Sequence, residues 1–372
     1  FMAVSLSDKN SDLFRCRKME TEEKYMRRCI QLARNAFTQA APNPMVGAVI
    51  VCDDKIVGEG YHIRCGGPHA EVNAIAAVRC QELLKRSTLY VSLEPCSHYG
   101  KTPPCADLII AKQIPRVVVG CVDPFAEVAG NGIRKLREAG VEVRVGVCEA
   151  ECRALNERFM TFHECKRPYV VLKWAESSDH YLDRLRTSAS LLPPYCFSTP
   201  YTQMLVHKRR AEHQAILVGT RTALLDNPSL TTREWPGSSP LRLVIDRKGI
   251  LPPDLRLFDG EVPVRVYTCA PEQALYARLP KVTCIVLRPD EDALERIWND
   301  LYEQHVQTLL IEGGGELLRS VLASGNWDEA FVECAPDCLR QGVPAPSWPL
   351  ENAVCEEQRF MGRRLLHFRC KK

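Results

Sequence analysis

Apolar positions in the first half of the chain switch repeatedly between two periods. Short apolar runs at 45–51, 88–93 and 116–122 have the length and the Val, Ile and Tyr content of buried strands, and 55–60 and 142–145 read as shorter ones. Between them, apolar residues recur at helical spacing. Residues 21–36 form one such stretch. Val72, Ile75 and Ala76, flanked by Val78, form another, which His69 opens. Pro104 before Cys105 suits the first turn of a helix over 105–112, with Leu108 and Ile109 facing inward. A further helix is expected at 132–139. Strands alternating with helices predict an α/β sandwich, its sheet largely parallel apart from the leading hairpin.

The pattern changes at residue 149. Residues 149–166 are polar and charged and read as a helical connector. A second α/β domain, 167–372, then opens with a strand at 169–175. Further strands are expected at 215–218, 241–245, 264–268, 283–286 and 308–311, with a last pair near 329–333 and 364–369. A helix over 199–211 precedes the second of them. The first domain spans 21–148, and residues 1–20, polar and without a signal-peptide core, are expected to be disordered.

Composition narrows the function. A length of 372 residues suits two domains rather than one. A net charge of +3 argues against a nucleic-acid protein that relies on a basic surface. No apolar stretch reaches the 18 residues of a membrane span. Eighteen cysteines, scattered and without secretory context, read as reduced thiols of a cytoplasmic protein.

Three residues carry candidate chemistry: His69, Cys96 and Cys105. An imidazole and two thiolates can hold one zinc ion and leave a fourth position for water, the arrangement of a catalytic site. Glu71, two residues past the histidine, is placed to move protons between that water and a substrate. This is the donor and acid/base set of zinc nucleobase deaminases. Taken alone, the set leaves the question open. The cysteines are separated by eight residues rather than the usual two, so ordinary core thiols fit as well. In the second domain, Gly219-Thr220 and Gly313-Gly314-Gly315 each link a strand to a helix, as phosphate-cradling turns do. Neither matches the G-x-G-x-x-G fingerprint, and such turns are often only tight connections.

The surrounding residues carry a resemblance. The stretches 41–51 (with Pro42-Asn43-Pro44), 58–62, 68–72 and 94–105 closely resemble the deaminase half of the bifunctional riboflavin-biosynthesis family. That family joins a diaminohydroxyphosphoribosylaminopyrimidine deaminase to a 5-amino-6-(5-phosphoribosylamino)uracil reductase. The long spacing between the cysteines is itself a mark of the family. The stretches 172–175, 198–200, 208–211 and 225–233 resemble its reductase half. The likeness runs from about residue 22 to the low 330s.

The resemblance implies a cytidine-deaminase-like α/β/α sandwich followed by a dihydrofolate-reductase-like α/β domain. It implies one zinc ion, on His69, Cys96 and Cys105, and NADPH, beside Gly219, Thr220, Asp226 and Gly313 to Gly315. Asn43, Arg210, Arg233 and Glu312 would hold the substrate, the two arginines on its phosphate and ribityl chain. Hydride transfer needs placement more than a nucleophile, so Lys173 or Asp183 is expected at most to assist protonation. On the helix over 199–211, Arg210 shares a face with Val206 and His207 and is expected towards the substrate, Arg209 towards solvent. The expected partner is a small phosphoribosylaminopyrimidine, without nucleic acid or membrane, in a homo-oligomer of two or more chains.

The chain departs from the family at three places. His180 stands where glycine is usual, Tyr195-Cys196-Phe197 displaces an aromatic, and 333–338 lacks the usual lysine-leucine-glycine run. These bear on the strength of the reductase. Two rivals compete: a zinc deaminase acting on a free or tRNA base with a non-catalytic second domain, and a zinc-stabilised binding protein. The paired arginines and near-neutral charge oppose the first, and Glu71, which no metal needs, opposes the second.

Overall fold

The computed structural model describes residues 6–37, 39–99, 103–125, 129–186 and 192–371, with side chains from residue 19 onward. It divides into two compact units, Phe1–Cys165 and Lys166–Lys372.

The first unit contains α1 (Leu6–Ala33), β1 (Gly47–Cys52), β2 (Lys55–Tyr61), α2 (Ala70–Ala77), β3 (Thr88–Leu93), α3 (Cys105–Ala111), β4 (Arg116–Cys121), α4 (Asn131–Glu138), β5 (Glu142–Val145), α5 (Glu149–Leu155) and α6 (Glu157–Cys165). Its strands lie in the order β2-β1-β3-β4-β5. β1 is antiparallel to both β2 and β3, so only β3, β4 and β5 run parallel. Alternating side chains on each strand feed two cores. Ile50 and Val91 pack on one face with Ala74, Ile109 and Leu136 of α2, α3 and α4. Val49 and Tyr90 pack on the other with Met26, Cys152 and Met160 of α1, α5 and α6.

Two expectations change here. The stretch 149–166 is not a free connector, because Cys152, Phe159, Met160 and Phe162 lie buried at helical spacing among its charges. Of the segment 1–20, residues 1–5 lie outside the described residues, and 6–20 begin α1. Extending a helix whose later turns are packed costs far less than starting one.

The second unit contains β6 (Tyr169–Glu176), β7 (Tyr181–Asp183), α7 (Pro200–Ala211), β8 (Ala215–Gly219), α8 (Thr220–Asp226), β9 (Leu241–Ile245), β10 (Val264–Thr268), β11 (Val282–Val286), α9 (Ala293–Glu303), β12 (Thr308–Glu312), α10 (Gly315–Ser324), β13 (Glu329–Cys334), β14 (Val343–Pro344), β15 (Ala353–Phe360) and β16 (Arg363–Cys370). Nine strands form one sheet, β11-β10-β9-β8-β12-β6-β13-β16-β15, parallel from β11 to β13 and antiparallel thereafter. Buried clusters cover both faces. β15 was not foreseen, because six of its eight residues are exposed and leave no strand-like apolar pattern. The odd histidine, His180, adopts φ 64°, the left-handed conformation that glycine takes readily. Its Nδ1 lies 2.8 Å from the buried Glu176 carboxylate, a local compensation for that backbone.

Candidate functional site

The first candidate centre lies beyond the carboxyl end of β3, the middle strand of its sheet. Gly60 on β2 helps to place it. A Cβ there would fall 2.3 Å from the backbone nitrogen of Ala74, so only glycine lets α2 lie this close to the sheet. His69 caps α2 with extended backbone (φ −70°, ψ 165°), and its ring precedes the helix. His69 Nδ1 is 3.5 Å from Cys96 Sγ and 3.4 Å from Cys105 Sγ.

The long gap between the cysteines closes on itself. The Ala106 amide donates to the Cys96 carbonyl at 3.1 Å, and the Cys105 amide donates to Cys96 Sγ at 3.3 Å. Two sulfurs and a nitrogen thus lie within 4.8 Å of one another. Zinc bonds of ~2.0–2.3 Å at tetrahedral angles set donor atoms about 3.5 Å apart, so the residues fit the metal. The thiols share a proton unevenly. Cys96 is pulled down to about 4, first by the Cys105 thiol that donates to it. Cys105 is pushed up by that donation and by burial.

Glu71 sits in the first turn of α2, only 3% exposed. Burial, then the Cys96 charge, raise its carboxyl to about 7. A carboxyl near neutrality can both take and return a proton.

Two supports were not singled out in the sequence. His62 is buried edge-to-face against His69, with ring centroids 5.4 Å apart. Its Nδ1 donates to the Pro68 carbonyl (3.0 Å) and its Nε2 accepts from the Asn43 amide (3.1 Å), which defines a neutral ring. Asn43 therefore reaches the centre through His62, and the run 58–62 already contained that signal. Glu94 accepts from the amides of Asp123 (3.3 Å), Gly130 (2.9 Å) and Ile133 (3.1 Å), and so ties β3 to the start of α4. The run 94–105, which Glu94 opens, already contained that residue, but not its partners.

In the second unit a cleft of about 1370 Å³ opens beyond the carboxyl ends of β8, β9 and β12, where parallel sheets place ligands. Gly219, Thr220, Asp226, Glu312 and Gly313 to Gly315 line it. Gly219 and Gly314 cap α8 and α10, and the Gly314 amide donates to Thr222 Oγ1 at 2.9 Å, which joins the two turns. A Cβ on Gly219 would meet no protein atom, so this turn is open towards the cleft. Two helix starts facing a cleft of this volume, one of them open, fit a dinucleotide.

The arginines are arranged differently from expectation. Arg210 shares the buried face of α7 with Val206 and His207, as the spacing predicts. Its head is already committed. Nε and Nη2 bind the two Glu312 oxygens at 3.0 and 2.6 Å, and Nη1 donates to the Thr231 carbonyl at 3.1 Å. Arg209, expected in solvent, lies over the Phe331 ring, 3.2 Å from its centroid. Arg233 is exposed and does not line the cleft. Its Nη1 meets only the hydroxyls of Ser229 (2.5 Å) and Thr231 (2.8 Å). Asp226 pairs with Arg186, which also binds Asp183 and the Leu225 carbonyl. Arg186 escaped the sequence reading, because a lone arginine in a loop carries no pattern.

Two family models match the chain in the same two halves. Residues 19–121 match the cytidine and deoxycytidylate deaminase zinc-binding region, and 168–344 match the RibD C-terminal domain. The riboflavin biosynthesis protein RibD of Aquifex aeolicus is 38% identical over 325 residues, 87% of this chain and 89% of the relative. The chain belongs to the RibD family. RibD of Escherichia coli is 34% identical over 86% of this chain and 88% of its own length. A crystal structure of the deaminase/reductase from Thermotoga maritima superposes with a TM-score of 0.80 at 35% identity, covering 95% of this chain and all of that one. RibD of Acinetobacter baumannii also gives 0.80, at 30% identity and the same coverage. The chain is thus a bifunctional riboflavin-biosynthesis enzyme, a zinc-type deaminase joined to an NADPH-type reductase. Among the described residues no helix is long and apolar enough to cross a membrane.

Proposed function

We propose that the chain deaminates 2,5-diamino-6-(5-phosphoribosylamino)pyrimidin-4(3H)-one and then reduces the ribosyl side chain of the product to ribityl. The observation that supports this most is the pairing, in one chain, of the His69–Cys96–Cys105 triangle beside Glu71 with a dinucleotide-sized cleft in the second unit. The Thermotoga maritima relative is described as carrying this same pair of activities.

In the first unit, His69, Cys96 and Cys105 hold zinc. When bound, zinc supplies the Lewis acidity that makes water a nucleophile near neutral pH. Glu71 would take one proton from the attacking water and give it to the ring nitrogen, then carry the second, from the hydroxyl now on the ring carbon, to the departing amine. Its burial keeps the carboxyl close to the pH at which both transfers are easy. His62 fixes Asn43 towards the pyrimidine.

In the second unit, Gly219, Thr220 and Gly313 to Gly315 bind NADPH, which supplies the hydride. Asp226, held by Arg186, and Glu312, held by Arg210, order cofactor and sugar hydroxyls. Arg233 lies outside the cleft lining but three residues past Leu230, which belongs to it; its guanidinium meets hydroxyls and would take a substrate phosphate at that edge.

A reducing, cytoplasmic setting agrees with the free cysteines of the described residues. For a homo-oligomer, the open edge of β15 with exposed Val354 offers a pairing surface.

Incubating the purified zinc protein with the phosphoribosylaminopyrimidine, with and without NADPH, tests the reading by product mass. Deamination alone is expected without NADPH, and the ribityl product with it. Deamination that never leads to NADPH oxidation would leave the second unit non-catalytic.

A further inference from the structure

Lys173 on β6 lines the reductase cleft between two carboxylates, and they are not equivalent. β12 places Glu312 directly opposite Lys173. On the other side, β13 pairs Phe331 with Lys173 and Glu333 with Ala175. Residues two apart share a sheet face, so Glu333 points the same way as Lys173, under α7. Both line a small cavity of about 40 Å³ together with Thr202, Val206 and Arg209.

Glu312 is neutralised by its two bonds to Arg210. Glu333 is 4% exposed and meets mainly hydroxyls. Ser198 Oγ donates to Oε2 at 2.6 Å and Thr202 Oγ1 to Oε1 at 2.7 Å. The guanidinium of Arg363 on β16 stands farther off, with Nε 3.8 Å away. Hydroxyls satisfy a carboxylate without cancelling its charge, so Glu333 adds its field to that of Glu312 at Lys173. The Thr202 hydroxyl also accepts from the Thr199 amide at 2.8 Å, the reciprocal bond of the capping box that starts α7.

We propose that Glu333 is a positioning residue of the reduction site. It fixes the start of α7 through Ser198 and Thr202, and beside Glu312 it supplies the second carboxylate that keeps Lys173 an ammonium where Lys173 meets the cleft. The charged groups facing Lys173 are Glu312 on β12, Glu333 on β13, and Arg209 and Arg210 on α7. Burial draws the ammonium towards neutrality, Glu312 and then Glu333 oppose this, and the two arginines add a smaller push towards neutrality. The proposal rests on reading this cleft as the reduction site.

The test uses the full-length, zinc-loaded protein and follows NADPH-dependent reduction of the deaminated intermediate against pH. An ammonium that must stay protonated gives activity that falls as pH rises through its pKa. Removing a neighbouring anion lowers that pKa, so the alkaline limb of kcat/KM moves to lower pH. Glu333→Gln is expected to shift the limb down by about one pH unit, the small end of the effect of a nearby charge. Glu333→Asp keeps the charge and should leave the limb in place. Ser198→Ala with Thr202→Ala removes the hydroxyl partners and should lower the melting temperature without moving the limb. Lys173→Met should abolish the limb.

An unmoved limb in Glu333→Gln overturns the proposal. So does an equal shift in the hydroxyl double variant, or a limb that survives Lys173→Met. If Glu333→Gln does not fold, judged by circular dichroism and deaminase activity, a downward shift in Glu333→Asp overturns it and an unmoved limb supports it. Wild-type protein that never oxidises NADPH would instead refute the reading of the cleft, which is seen before any variant is compared.

Discussion

Arg210 on α7 and Glu312 at the end of β12 meet head-on, with Nε and Nη2 at 3.0 and 2.6 Å from the two carboxylate oxygens. Both side chains are largely buried, 10% and 14% exposed. Removing one partner strands the other charge in a dry site. Arg210→Ala should therefore destabilise the second unit by about 3–5 kcal/mol, as loss of one member of a buried pair does. Arg209→Ala loses the contact over the Phe331 ring and should cost about 0.5–2 kcal/mol. Denaturant unfolding followed on the second unit checks both, and equal losses would contradict the asymmetry.

Arg233 is now the better candidate for the substrate phosphate. Arg233→Ala should weaken the phosphorylated intermediate by roughly 2 kcal/mol, the scale of a charge-assisted hydrogen bond, and leave NADPH affinity unchanged. Steady-state KM values for both substrates read this directly. A loss confined to NADPH would place the phosphate elsewhere.

Glu71 is buried beside the three metal donors and hydrogen-bonds with the Cys105 side chain, but it is not one of the three. Glu71→Ala should keep zinc and lose about a hundred- to ten-thousand-fold in deamination, the range for a missing acid/base group. Metal analysis and product formation are measured on the same preparation. Retained turnover, or lost zinc, would remove Glu71 from its role.

Cys96 touches both His69 and Cys105. Cys96→Ser, or a chelator acting on the wild type, should therefore release zinc and abolish deamination. Reduction of the supplied intermediate with NADPH should persist, because every residue assigned to that step lies in the second unit. A reductase that failed together with the deaminase after gentle zinc removal would show that the two chemistries depend on one another.

What the amino-acid order determines by itself is local. Runs such as 88–93 and 116–121 announce strands because their burial is continuous, and the helix begun by His69 announces itself by spacing. The triad of His69, Cys96 and Cys105, with Glu71 two residues past the histidine, is legible because the stretches around it resemble a known family; donor types and spacing alone left ordinary core thiols as an equal reading. Tertiary structure decides whatever depends on partners far apart in the chain. The spacing on α7 put Arg210 inward, but only the arrival of Glu312, 102 positions later, shows that its guanidinium is already occupied. Charged connectors and exposed edges defeat pattern reading for a related reason. Residues 149–165 hide Cys152 and Met160 among charges, and β15 buries little, so neither carries a hydrophobic period strong enough to read. The roles of Glu94, Arg186 and Glu333 are illegible for the same cause, although the runs 94–105 and 333–338 drew notice: a buried ion takes its meaning from the hydrogen bonds that satisfy it, and those come from distant segments that only the folded chain brings together.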